Sequence, residues 1–388
     1  MRIGIEAQRI FRSHKHGMDV VALELVKAIQ NIDTKNQYYI FIKKDEDNSC
    51  LKSTPNVKVI ETSSYPYIIW EQIILPIYAW YYKIDLLHCT SNTAPFFCPC
   101  PIILTLHDVI FLEKRKGKNT MSSYQKFGNL YRKWLVPAII RRTAKVITIS
   151  HQERENILGL TNLENQKLEV IHNGVSKNFG HKIPETLAFE MSEKFLLGDE
   201  FALFLGNVEP RKNTPNLLKA FVAYAQNHPD FQLVITGVNR KFVADQMQPN
   251  SSNILKRQII TPGFVSQDEL TFLYSYAKVF LFPSLREGFG LPILEAMSQG
   301  TPVITSNTSS MPEVAGDAAI LIDPNDPRQI TAAMEKLIKN HTLRQELSTK
   351  GKERIGHFSW ENTAKKYLEQ YYSILSLKPH EEVILQSA

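Results

Sequence analysis

The chain's 388 residues exceed one ordinary domain and suit two, each able to bury its own core. With 43% hydrophobic and 22% charged residues it has a globular composition, and its formal net charge of +6 is too small for a nucleic-acid coat. Four cysteines (Cys50, Cys89, Cys98, Cys100) exclude a disulfide scaffold, and Cys98-Pro-Cys100 has neither redox CxxC nor zinc-pair spacing, so a reducing cytosol is the expected setting.

Taken in chain order, Met1-Arg-Ile-Gly-Ile-Glu6 reads directly as a strand, with charges where the apolar core of a signal peptide would stand. Short β-branched runs at 2–7, 38–42, 57–60, 102–106, 146–149 and 167–171 then alternate with longer helical patterns. The most apolar stretch, 65–87, is interrupted by Glu71, Gln72, Pro76, Lys83 and Asp85, and its longest clean run falls far below the roughly 20 residues a spanning helix needs. After a break at 175–200 the same alternation restarts, with strand candidates at 201–205, 231–236, 258–260, 279–282, 301–305 and 319–322. Strand, helix, strand in series predicts parallel sheets with helices on both faces, here two doubly wound α/β units in tandem. We expect a first domain over 1–185, a second over 195–357, and a last helix and tail over 358–388 that returns toward the first.

The charge is lopsided. Residues 1–180 hold 24 Lys+Arg and 16 Asp+Glu, which leaves 21 and 23 for the remainder of the 45 and 39. Within residues 111–150, ten basic side chains face a single acid, Glu113, and are interleaved with Phe111, Tyr124, Phe127, Tyr131 and Trp134. Two readings stay open for this segment, a solvated helical face and a peripheral contact with an anionic membrane. Nucleic acid ranks behind both, because no binding motif accompanies the charge.

Chemistry concentrates in the second half. Residues 201–213 form a buried-type strand, a turn at Gly206, then Glu209-Pro-Arg211-Lys212-Asn213 opening a helix. Two cations at a strand's carboxyl end beside a helix N-terminus suit a doubly charged phosphate group; the bland reading is a surface Arg-Lys loop. Further on stands Phe282-Pro-Ser284-Leu-Arg-Glu287-Gly288-Phe289-Gly290-Leu291-Pro292-Ile-Leu-Glu295. Its glycines permit close backbone approach, Pro292 suits a first helical position, and Glu295 is expected in the first turn, where an acid can simply complement the helix dipole. Glu287 precedes the glycine turn, where a carboxylate can accept hydrogen bonds from a polyhydroxylated ligand.

These motifs, with Pro262-Gly263-Phe264-Val265, Gly300-Thr-Pro-Val-Ile304, Met311-Pro-Glu-Val314 and Phe358-Ser-Trp-Glu361, resemble the retaining enzymes of glycosyltransferase family 4 over nearly the whole chain, densely in the second half and loosely in the first. The resemblance implies the GT-B architecture, two Rossmann-like doubly wound parallel-sheet domains facing an interdomain cleft. It implies transfer of a hexose from a nucleotide-diphosphate sugar, GDP- or UDP-linked, to a saccharide or lipid-linked saccharide. The pattern is closest to members that build bacterial surface polysaccharides such as lipopolysaccharide, among them mannosyltransferases; the expected setting is the cytoplasmic side of the inner membrane.

Carried over by position, Arg211 and Lys212 hold the donor diphosphate. Glu287 contacts hydroxyls of the transferred sugar, assisted by the backbone of Gly288, Phe289, Gly290 and Leu291. Glu295 takes the ribose, Gly206 forms the turn, Phe264 and Val265 border the base, and His107 stands near the reacting sugar. A lone histidine at a strand end has an equally ordinary structural reading. Two positions depart from the family pattern. The glycine-rich loop after the first strand is reduced to His14-Lys15-His16-Gly17-Met18-Asp19, leaving only Gly17 to present amides to donor phosphate or acceptor, and Ser176 follows Asn173-Gly174-Val175 where relatives often have an acid.

The resemblance also implies retention by a front-face route in which the departing phosphate helps deprotonate the acceptor, with domain closure excluding water. Asp45-Glu46-Asp47, the only DxD string, lies in a polar loop with Lys43 and Lys44; we expect no metal and no other cofactor, with Arg211, Lys212 and a helix dipole in the metal's place. Two alternatives are weighed, a sugar-nucleotide epimerase on the same scaffold and a non-enzymatic sugar-nucleotide-binding or membrane-scaffolding protein.

Overall fold

The structure, a computed structural model, describes residues 1–113, 123–176, 179–180, 183–247 and 252–376. The cations Lys114, Arg115, Lys116 and Lys118 of the basic segment lie outside the described residues, as do the side chains of Tyr124 and Lys126.

The chain divides into two compact units, one of residues 1–174 with 360–388 and one of residues 175–359. The first is built on seven parallel strands: β1 (Arg2–Glu6), β2 (Gln37–Lys43), β3 (Val57–Thr62), β4 (Leu86–Cys89), β5 (Ile102–Thr105), β6 (Lys145–Thr148) and β7 (Leu168–Val170). Their order is β3-β2-β1-β4-β5-β6-β7. β4 is absent from the expected set: Leu86-Leu-His-Cys89 is short and follows an apolar helix, so the sequence shows no change of period there. Residues alternate between the two faces of each strand. On one face Tyr39, Phe41, Leu87, Leu104 and Val146 join a core with Trp70, Leu75, Val136 and Ile140 from flanking helices.

The other face meets the helices Gly17–Ile32 and Trp360–Ser376, which pack against each other. Here the buried His88 bonds Tyr371 Oη at 2.7 Å through Nδ1 and Thr105 Oγ1 at 2.8 Å through Nε2. Thr105 in turn bonds Tyr367 Oη at 3.0 Å, and Asn36 donates to Tyr372 Oη at 2.8 Å. The last helix is thereby bound into the first unit by polar contacts as well as packing.

The second unit holds β8 (Phe201–Leu205), β9 (Gln232–Thr236), β10 (Ile259–Gly263), β11 (Val279–Phe282), β12 (Val303–Ser306) and β13 (Ala319–Ile322), in the order β10-β9-β8-β11-β12-β13 and all parallel. The helix Glu185–Phe195, which fills the interval between the two expected domains 1–185 and 195–357, belongs to this unit: Ala188, Met191 and Phe195 are buried, and it packs on the helix Gln267–Tyr276. The division falls instead between Gly174 and Val175. In both sheets the chain turns from one side to the other at the central pair, β1 and β4 or β8 and β11. Such a switch point opens a crevice at the carboxyl ends of the strands, and in the second unit the loops flanking that crevice are 206–213 and 283–290.

Candidate active site

Gly206 follows β8 because nothing larger fits: a Cβ there would meet Ile235 Cγ2 at 2.8 Å and Thr236 O at 2.9 Å. The chain then makes a short 3-10 turn, Pro210–Lys212, and Asn213 takes φ 64° before the helix Thr214–Ala225 begins. The Asn213 side chain fixes that turn by donating to Pro283 O at 3.0 Å and Pro324 O at 2.6 Å. Leu285 N donates to Arg211 O at 2.7 Å, which joins the two loops directly.

The two cations converge on one carboxylate. Arg211 Nη1 lies 2.6 Å from Glu287 Oε2, and Lys212 Nζ lies 2.7 Å from Glu287 Oε1. Glu287 is 9% exposed. Burial alone would raise its pKa, but Lys212 and then Arg211 outweigh it and hold the carboxyl below its ordinary value. The cluster therefore carries two positive charges against one negative, in a site poorly screened by water.

The backbone of Glu287–Gly290 is fixed by two serines. Ser309 Oγ donates to Glu287 O at 2.7 Å and accepts from Glu287 N at 3.1 Å, while Ser310 Oγ donates to Phe289 O at 2.6 Å. Because a trans peptide sets C=O and N–H in opposite directions, turning these carbonyls to the serines directs the amides of Gly288 and Gly290 away from them. Gly290, at φ 119°, caps the helix Leu291–Ser298. That helix starts at Leu291, so Pro292 is its second residue and Glu295 lies beyond the first turn, which removes the helix-dipole reading of Glu295. Tyr274 Oη donates to Glu295 Oε2 at 3.0 Å, and burial pushes the Glu295 carboxyl up to about 7, with Tyr274 and Lys212 opposing.

The structure thus brings Arg211, Lys212 and Glu287 into contact, with Glu295 within electrostatic reach of Lys212. Phe264 is 80% exposed, on the loop after β10. In the first unit His107 is buried; its Nε2 donates to Thr90 O at 2.8 Å and its backbone N donates to Asn92 Oδ1 at 2.6 Å. Burial lowers its pKa, so the ring is held neutral. Gly17 begins the helix Gly17–Ile32 with open space where a Cβ would stand, so neither turn nor packing demands a glycine there. Sequence reasoning missed Tyr274, Ser309 and Ser310. The two serines immediately precede the quoted Met311-Pro312 helix start, but nothing in their spacing shows that they face Glu287.

Two family models match, "Glycosyltransferase Family 4" over residues 16–179 and "Glycosyl transferases group 1" over residues 188–354. The chain is 32% identical over 228 residues to O-antigen chain mannosyltransferase B of Escherichia coli, covering 58% of this chain and 60% of that protein. It is 29% identical over 284 residues to the serotype-specific mannosyltransferase WbdA of Escherichia coli, covering 71% of this chain and 34% of that one. The match therefore spans between a third and three-fifths of these relatives' length. Among solved structures, Anabaena Alr3699/HepE in complex with UDP-glucose has a TM-score of 0.74 at 16% identity, covering 96% of this chain and 100% of that one.

Proposed function

The chain belongs to glycosyltransferase family 4 and has the GT-B fold, and from that premise we propose that it transfers a hexose, mannose in the naming of its relatives, from a nucleoside diphosphate sugar to a saccharide or lipid-linked saccharide. The observation that carries the reading is the pairing of Arg211 and Lys212 on Glu287 where β8 and β11 end. The UDP-glucose held by the structural relative supports a nucleotide-sugar donor.

In this reading Arg211 and Lys212 meet the donor diphosphate and neutralise the negative charge that grows on its oxygens as the glycosidic bond breaks. Glu287 keeps both cations oriented in the unliganded protein and accepts hydrogen bonds from sugar hydroxyls when the donor is bound. The amides of Gly288 and Gly290 assist it, on a backbone already fixed by Ser309 and Ser310, so little reorganisation is needed at reaction. Glu295 accepts from the ribose. The departing phosphate oxygen takes the acceptor's proton on the face it leaves, which gives retention, and the positive charge comes from side chains instead of a divalent ion. The acceptor grows into a bacterial surface polysaccharide, as the names of the relatives suggest.

The test is a panel of sugar nucleotides with a mannose-ended, lipid-linked acceptor, the product's anomeric configuration being read by NMR. Transfer with retention is the expected result. A donor-only reaction giving an epimer, or tight donor binding without transfer, overturns the reading.

A further inference from the structure

One helical segment of the first unit has its polarity reversed. Tyr67–Tyr81 runs through α-helix, a π turn at Trp70–Ile74, and α-helix again. Its single charged residue, Glu71, is buried at 1% exposure, whereas its exposed positions are Ile69, Ile73, Ile77, Trp80 and Tyr81, at 42 to 71%. A helix facing water has the opposite distribution.

Glu71 is fully engaged beneath this surface. It accepts from Tyr67 Oη at 2.7 Å, from Tyr131 Oη at 2.5 Å and from Gln72 Nε2 at 2.9 Å, and also from the Thr93 hydroxyl. Tyr131 belongs to the helix Ser123–Arg142, which therefore lies alongside. On that helix Phe127, Leu130 and Trp134, spaced three and four apart on one face, are 59, 54 and 77% exposed. Lys133, Arg141 and Arg142 are exposed on the same helix.

Ile69 and Phe127 both line a cleft of about 590 Å³, together with Arg9, Arg12, Lys43, Tyr65 and Tyr67. Arg9 and Arg12 follow β1 and Lys43 ends β2, so three cations gather at the carboxyl ends of neighbouring strands. Among the described residues Asp45 is the one carboxylate in the lining, and Asp19 lies 4.0 Å from Arg12, so Arg9 and Lys43 carry the excess positive charge. Arg9 Cζ lies 5.1 Å from the centre of the Tyr67 ring, which holds the guanidinium against the cleft wall.

We infer that this cleft binds the phosphate-bearing head of a membrane lipid whose apolar chain continues along the exposed face of Tyr67–Tyr81. The excess of guanidinium and ammonium groups selects a phosphate. The apolar rim that leads out of the cleft selects a lipid over a free phosphate. Trp80, Tyr81 and Trp134 suit the headgroup boundary of a bilayer, and Lys133, Arg141 and Arg142 suit its anionic surface. A second copy of the chain is disfavoured, because it would set the same cations against each other. The inference deepens the proposed function at one point and rests on it there: the lipid phosphate carries the sugar acceptor.

The experiment is co-sedimentation with phosphatidylcholine vesicles, with and without a long-chain isoprenyl phosphate, and with inorganic phosphate as soluble competitor. The protein is expected to favour the phosphate-bearing vesicles by about tenfold or more. Ile73→Glu with Ile77→Glu is expected to lower binding to both vesicle types by about tenfold, whereas Arg9→Ala with Lys43→Ala is expected to remove only the preference for phosphate. All four positions are at the surface or in the cleft wall, and thermal melts with Ile73→Leu as control separate binding from folding. Equal binding to the two vesicles, or no effect of the glutamates, overturns the inference. So does dimerisation abolished by the glutamates, which assigns the face to a second copy, and so does inorganic phosphate binding without vesicle binding. Sugar-nucleotide binding measured on the same preparations keeps the two readings apart, since its loss counts against glycosyl transfer and leaves the vesicle result standing.

Discussion

The Lys212 ammonium stands 2.7 Å from Glu287 Oε1, on a carboxylate whose other oxygen is held by Arg211 at 2.6 Å. Removing either cation leaves the other on Glu287, so the fold is expected to survive each single substitution. Lys212→Ala and Arg211→Ala are each expected to slow transfer about 100- to 1000-fold, the usual loss for one preorganised electrostatic donor, and the double variant to abolish it. Steady-state rates alongside melting curves check this. Near-normal turnover in the folded double variant contradicts the proposed site.

Glu295 supplies a pH-dependent prediction. Burial raises its carboxyl to about 7, so between the unfolded value near 4.3 and about 7 the folded protein binds the extra proton. Stability then falls as pH rises through this window, because ionising a buried carboxyl opposes folding. Glu295→Gln removes that cost, and its melting temperature relative to the parent is expected to rise from pH 5 to pH 8, by the equivalent of about 1 to 3 kcal/mol. If the ionised carboxylate accepts from the ribose, donor affinity of the parent protein rises over the same window while that of Glu295→Gln stays flat. Parallel melting curves for the two proteins across pH contradict the raised value.

Apart from β4, the strands of both sheets were legible in the sequence, and so, for a different reason, were Arg211, Lys212 and Glu287 as individual candidates, though not their pairing. Buried parallel strands such as Phe201–Leu205 and Val279–Phe282 are compact apolar runs bounded by turn residues, which local composition reveals. The three residues could be singled out because each sits in a dense local motif after a strand, whereas their pairing across 75 and more residues is created by the fold. Leu86–Cys89 was illegible because four residues cannot establish a period against an adjoining apolar helix. Ser309 and Ser310 were illegible because their role is to receive the Glu287 backbone across more than twenty residues, a relation only the fold creates. The reversed polarity of Tyr67–Tyr81 was also hidden: the sequence shows one acid in an apolar helix, and burial alone decides which side that acid takes.

His88 predicts the acid limb of stability in the first unit. Burial, with a smaller contribution from His107, pushes its imidazole down to about 3, against an unfolded value near 6.5. The folded protein keeps the ring neutral between Tyr371 and Thr105, while the unfolded chain takes up a proton below about 6.5. This contribution is complete above that value and is lost progressively as pH falls toward the folded one. From pH 7 to pH 5 it amounts to about 2 kcal/mol. His88→Gln is expected to melt lower at pH 7, having lost a hydrogen bond of about 1 kcal/mol, but to lose less on acidification. Equal pH slopes for the two proteins refute the assignment.

Chelation tests where the positive charge at the leaving diphosphate comes from. Arg211 and Lys212 already supply two fixed cations beside a loop whose backbone is locked by serines. The DxD string is committed elsewhere: Asp47 pairs with Lys15 Nζ at 2.5 Å and accepts from Ser49, and Asp45 accepts from Glu46 N at 2.9 Å. Freeing both carboxylates for a metal would break the Lys15 ion pair, which already holds the Asp47 carboxyl below its ordinary range. Transfer is therefore expected to proceed at an unchanged rate after EDTA treatment and dialysis, and added magnesium or manganese is expected to leave it unaltered. A loss of rate on chelation that manganese restores would place a divalent ion at the diphosphate and reduce Arg211 and Lys212 to orienting groups.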